Sequence, residues 1–194
     1  MPLQQGRGIG AANNRLVEEF IDRNREGSLI VYYELDSRTI DRNYRDNAAS
    51  LARIREAVRT IEESEDSQVA RVVIAGFASP EGLQSYNERL AWDRALRIKE
   101  WLLEQTGLTE EKVRVYNGAE DWRGLRKLVE ESDLADKNQV LEIIDRAPQT
   151  DDANGRLAQL KRINNGETYR YLFERLFPEL RNAAYIKVYF ENND

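Results

Sequence analysis

"GFASPEGLQSYNERLAWDRA", residues 76–95, decides the reading of this chain. It joins the end of an apolar run, "VARVVIAGF" (69–77), to a long charged segment. A near-continuous apolar run of that length reads as a strand buried on both faces of a sheet. Gly76 and Gly82 bracket a turn stiffened by Pro80. Beyond it, Leu90, Ala91, Ala95, Ile98, Trp101 and Leu102 recur at helical spacing and predict a helix over 83–105, capped by Gly107. The first turn of a helix carries unpaired N–H groups and a partial positive charge, which suit an anion. Asn87 and Arg94 stand seven residues apart, two turns along nearly one face. Arginine offers a planar fork for a carboxylate, and asparagine offers both a donor and an acceptor. The pair reads as a socket for a small zwitterionic or carboxylate group. The same residues also admit a purely structural role, with Asn87 steadying the loop and Arg94 paired to Glu81 or Glu88; such surface pairs contribute little.

Outward from this unit, the order of elements is alternating. "SLIVYYEL" (28–35) is β-branched and aromatic and reads as a strand. Ala48, Leu51, Ile54, Val58 and Ile61 define an amphipathic helix over 44–63. "KVRVYNG" (112–118) is a third strand and "AYIKVYFE" (184–191) a last one. Between them, "WRGLRKLVEES", "KNQVLEIIDRA", "ANGRLAQLKRI" and "TYRYLFERLF" are helical, with Pro178 expected to end the last piece. Trp122 and Leu125 are expected to anchor this block. Tyr169, Tyr171, Phe173 and Phe177 recur at helical spacing and are expected in its core. Residues 1–27 read as a Gly/Gln/Asn-rich arm and a short helix at 15–25. The expected architecture is an α/β (α+β) two-layer sandwich. A four-stranded mixed sheet carries both long helices on one face, with a helical insertion at about 119–182 before the last strand.

Composition narrows the chemistry. The chain has 194 residues, 41% hydrophobic and 33% charged, with a net charge of -6. That balance argues against nucleic acid as a partner. There is no histidine and no cysteine. Thiolate and imidazole routes to catalysis and metal binding are therefore closed, and no acidic calcium loop is present. Glu120 and Asp121 are the nearest carboxylate pair, but sequence neighbours do not face each other on a regular element. No catalytic residue, metal or cofactor is expected. No apolar run approaches the roughly 20 residues of a membrane helix. The opening "MPLQQGRGIGAANN" has neither an apolar nor a basic leader region.

The stretch 76–95 resembles the signature of the OmpA-like (OmpA/MotB) peptidoglycan-associating domain. That pattern runs Gly-x-Thr-Asp-x-x-Gly, then Asn, then Leu-Ser-x-x-Arg-Ala and a hydrophobic run. Gly76, Gly82, Asn87, Leu90, Arg94, Ala95, Ile98 and Leu102 match it without a gap. The resemblance covers about 28–118 plus 184–191. It implies a periplasmic, outer-membrane-associated module of a Gram-negative envelope that binds the diaminopimelate of peptidoglycan stems. The ligand's carboxylate would fall to Arg94, with Asn87 in support. The acid that holds the ligand's ammonium would fall at Ser79, where this chain has no charge; the family's Thr falls at Ala78 and its Ser at Ala91. Losing one charge-assisted contact costs on the order of 1–3 kcal/mol, or roughly ten- to hundredfold in affinity. Glu81, two residues on, is the substitute carboxylate. The ligand-binding set is therefore Ser79, Glu81, Asn87 and Arg94. The other outcome is a structural or interaction domain that kept the fold and lost the ligand. The insertion is expected to shape the rim of the pocket or to dock another envelope protein.

Overall fold

The computed structural model describes residues 29–192; the arm and short helix expected at 1–27 lie outside the described residues. Strand β1 is Leu29–Tyr32, helix α1 Asn47–Glu62, strand β2 Ser67–Ala78, helix α2 Gln84–Gln105 and strand β3 Val113–Glu120. Strand β4, Asn182–Asn192, closes the series. The strands pair in the order β1-β4-β2-β3. β2 runs parallel to β3 and antiparallel to β4, and β4 is antiparallel to β1.

β1 stops short of the expected 35. The Asn47 side chain takes over there, accepting from Tyr32 N and donating to Tyr32 O, both at 2.8 Å. Four residues later Asp36 adopts the left-handed region at φ 58°. Tyr33 nevertheless stays tied to the sheet, donating its N–H to Arg181 O at 2.8 Å.

Both long helices pack on the same side of the sheet. Leu51, Ile54 and Val58 of α1 and Ala95, Ile98 and Leu102 of α2 share one core with Val31, Val69, Val72 and Ile74. Successive strand residues face opposite ways, so Val72, Ile74 and Gly76 look toward the helices together. Gly76 is not a turn residue: it lies inside β2, and a side chain there would overlap the Ala91 carbonyl of α2. Its bareness lets helix and strand approach closely. Gly107 is not the helix cap either. Thr106 ends α2 in an extended conformation, with its hydroxyl donating back to Leu102 O at 2.8 Å.

The segment after β3 is helical, as its periodicity predicts. It comprises α3 (Trp122–Glu131), α4 (Lys137–Arg146), α5 (Arg156–Leu160), α6 (Glu167–Tyr171) and α7 (Phe177–Leu180), with a π turn at Leu172–Leu176. These elements own a second core built on Trp122, Leu125, Val129, Val140, Leu160, Leu172 and Phe177. The Tyr169 and Phe173 rings lie 5.9 and 6.5 Å from that of Phe177, both edge-on. Pro178 does not end the helix. It sits in the first turn of α7, where its missing N–H is no loss, just beyond the wide π turn.

Candidate functional site

The 76–95 unit is a strand end, a tight turn and a helix start. Glu81 N donates to Ser79 O at 2.9 Å, closing the turn below Pro80. Ser79 is buried, and its hydroxyl donates to Glu81 Oε1. α2 begins after Leu83, which has no side chain able to cap it. The cap comes from far along the chain: Asp151 Oδ1 accepts the Gln84 N–H at 2.9 Å. An acceptor bearing negative charge at that position answers both the orphan N–H and the helix dipole.

Arg94 is fully buried, at 0% exposure. Its Nε donates to Ser37 O at 2.9 Å, Nη1 to Phe77 O at 2.9 Å and Nη2 to Glu34 O at 3.3 Å. All three acceptors are main-chain carbonyls, and none is the Glu81 or Glu88 carboxylate. The guanidinium also lies 5.0 Å from the Tyr33 ring centre, and the Tyr33 hydroxyl donates to Arg94 O. Burial pushes the Arg94 guanidinium down to about 10, partly offset by Tyr33 and Glu81, so it stays charged at neutral pH. The residue ties the connection after β1 to the end of β2.

Asn87 is buried and faces a different partner. Its Nδ2 donates to Glu120 Oε1 at 2.8 Å rather than to the loop backbone. Glu120 also accepts from Trp122 Nε1 at 2.9 Å and Gln149 Nε2 at 3.2 Å. Burial pushes the Glu120 carboxyl above its usual range, against the pull of these three donors. Asp121 has a separate task, accepting Gly124 N at 2.7 Å as the N-cap of α3. The Arg156 guanidinium lies 5.3 Å from the Trp122 ring centre. A cavity of about 10 Å³, lined in part by Glu120, Trp122, Gln149 and Asp151, has room for about one water molecule.

Glu81 is held by a residue that sequence reading did not single out. Arg181 Nε and Nη2 donate to Glu81 Oε1 and Oε2 at 2.8 and 2.9 Å, a two-point pair. Both side chains are 10% exposed. The Arg181 guanidinium also rests 5.6 Å from the centre of the Phe173 ring. Of the four expected ligand residues, Ser79 and Glu81 touch each other. Asn87 turns to the end of β3, and Arg94 is sealed beneath. Arg181, Glu120, Gln149 and Asp151 complete the neighbourhood. No local pattern marks Arg181, Gln149 or Asp151, because their partners Glu81, Glu120 and Gln84 lie 100, 29 and 67 residues away in sequence. Among the described residues, no cluster of acidic side chains is arranged to hold a metal, and no helix is long and apolar enough to cross a membrane.

A mixed sheet backed by two helices, with a strand–turn–helix unit carrying Asn87 and a buried Arg94, defines the class of this protein. The chain belongs to the OmpA family, whose sequence pattern matches residues 32–139, more than half of its length. The match runs from β1 through α3 into α4. The backbone is similar to that of the peptidoglycan-associated lipoprotein from Burkholderia pseudomallei. There the identity is 18% and the TM-score 0.38, over 47% of this chain and 70% of that one. It is also similar to the periplasmic domain of MotB, at 13% identity and a TM-score of 0.38, over 100% of this chain and 90% of that one. A search among curated proteins found no match. The family assignment rests on the sequence match and not on these two likenesses.

Proposed function

We propose that this chain is a non-catalytic cell-envelope module that associates weakly with peptidoglycan through the diaminopimelate of its peptide stems. The reading places it in the periplasm, against the wall. It treats 28–194 as one OmpA-like domain interrupted by the helical insertion at about 119–182. The observation that carries it is the family's strand–turn–helix unit, with Asn87 and Arg94 on α2 and the uncharged Ser79 at the position of the family's acid. Weakness follows from that serine, since a hydroxyl meets an ammonium without a charge.

A second reading is favoured by Arg94 itself. Its donors go to three main-chain carbonyls, so its fork is committed to the fold. On this reading the domain kept the scaffold and serves as a structural or docking element of the envelope, with the helical block as its contact surface.

The two readings separate in one titration with a diaminopimelate muropeptide, alongside retention on purified sacculi. The expected result is weak, saturable binding of the muropeptide by the parent, with retention on the sacculi. If the parent binds neither, the second reading replaces the first.

A further inference from the structure

A zwitterionic amino-acid head group needs a cation for its carboxylate and an anion for its ammonium. Arg94 cannot supply the cation without leaving three carbonyls behind, and it is fully buried. Arg181 is placed differently. It uses Nε and Nη2 on Glu81, along one edge of the guanidinium. Nη1 is not engaged by any described residue, and it is not among the buried polar atoms lacking a partner. The side chain as a whole keeps 10% of its surface exposed. The side chain is nonetheless ordered from both ends. Its carbonyl accepts Tyr33 N at 2.8 Å, and its guanidinium rests on Phe173. Glu81 is ordered too, through the turn bond to Ser79 O and the Ser79 hydroxyl.

We infer that Arg181 and Glu81 are the pair this chain presents to an amino-acid head group. Arg181 receives the carboxylate on its open Nη1 edge, and Glu81 receives the ammonium. The inference rests on the wall-binding reading above and reassigns its contacts. The cation comes from the end of the helical block, beside β4, instead of from α2. A planar fork can serve one carboxylate along its Nε–Nη2 edge and another at its Nη1–Nη2 end, so the internal pair need not break. Glu81 Oε2, which among the described residues accepts only Arg181 Nη2, keeps a lone pair for the ammonium while Glu81 holds Arg181. The internal pair thereby pre-orders the site in the absence of ligand, which lowers the cost of ordering on binding.

The test compares muropeptides whose diaminopimelate side carboxylate is free or amidated, against the parent, Arg181→Ala and Arg181→Lys. The expected parent prefers the free carboxylate by roughly tenfold, the value of one charge-assisted contact. Arg181→Ala is expected to bind both muropeptides alike, and Arg181→Lys to keep part of the preference. A merely structural role for Arg181 would lower affinity for both ligands together and leave their ratio unchanged. An Arg181→Ala variant that folds and keeps the parental ratio overturns the inference while the wall-binding reading stands. If Arg181→Ala fails to fold, the ratio for Arg181→Lys decides, and an undiminished preference overturns the inference. A parent that binds neither muropeptide overturns both.

Discussion

The sheet layer and the helical block each own a core, yet they treat their charged residues in opposite ways. The layer draws Arg94 inside and spends it on its own main chain. The block keeps several of its charges in exposed pairs such as Arg126–Asp145, and reaches across the boundary with other polar side chains. Gln149 reaches Glu120, Asp151 caps α2, and Arg181 holds Glu81. The difference teaches that an arginine in a signature can belong wholly to the scaffold. Arg94 fastens the layer to itself, while Arg181, Gln149 and Asp151 reach Glu81, Glu120 and the start of α2 from the block.

The largest expected effect breaks the layer. Arg94→Ala leaves three carbonyls without their donor and opens a hole beside Tyr33. It should cost on the order of 4 kcal/mol or more in denaturant unfolding. Arg94→Lys should recover little, because a single ammonium cannot span acceptors at Glu34, Ser37 and Phe77. A loss under about 1 kcal/mol for Arg94→Ala would show that the arginine is not fastening the scaffold. Next comes the block: Trp122→Ala should cost about 3–4 kcal/mol, since Trp122 is 7% exposed within the second core. An unchanged melting temperature would mean that the ring does not pack there. The smallest effect falls on the boundary. Asp151→Ala removes one cap from α2 and should cost about 0.5–1 kcal/mol, with the fold intact by circular dichroism. If it costs as much as Arg94→Ala, the boundary contacts are part of the scaffold and the contrast between the two regions fails.

What could be read from the chain follows the same division. Helices α1 and α2 and the pieces of the block were legible because their apolar spacing is a local signal. β2 was legible as an apolar run, and Asn87 and Arg94 as a pair on one helix. Their partners were not legible. Arg94 meets Glu34 and Ser37 from the other end of α1, and Asn87 meets a carboxylate at the end of β3. Gly76 looked like a turn residue because helix–strand contact distance leaves no mark in a single sequence. Gly107 looked like a cap because glycine commonly follows the last turn of a helix, and the backward bond by which Thr106 ends α2 has no pattern of its own. Arg181 gave no signal at all, since its role depends on β4 entering beside β2.

That placement of β4 has a consequence for how the molecule comes together. The last described strand lies between β1 and β2, so Leu29 waits for Ile186 before it has a neighbour. Until then β2 and β3 can join around α2 as a local parallel unit, while β1 remains a loose edge. The sheet is completed by insertion at its middle, a step that closes residues 29–186 into one loop. Such distant pairing slows folding and leaves strand edges open to other chains in the meantime. Removing the C-terminal strand would therefore split the sheet in two, where loss of an outer strand would only narrow it.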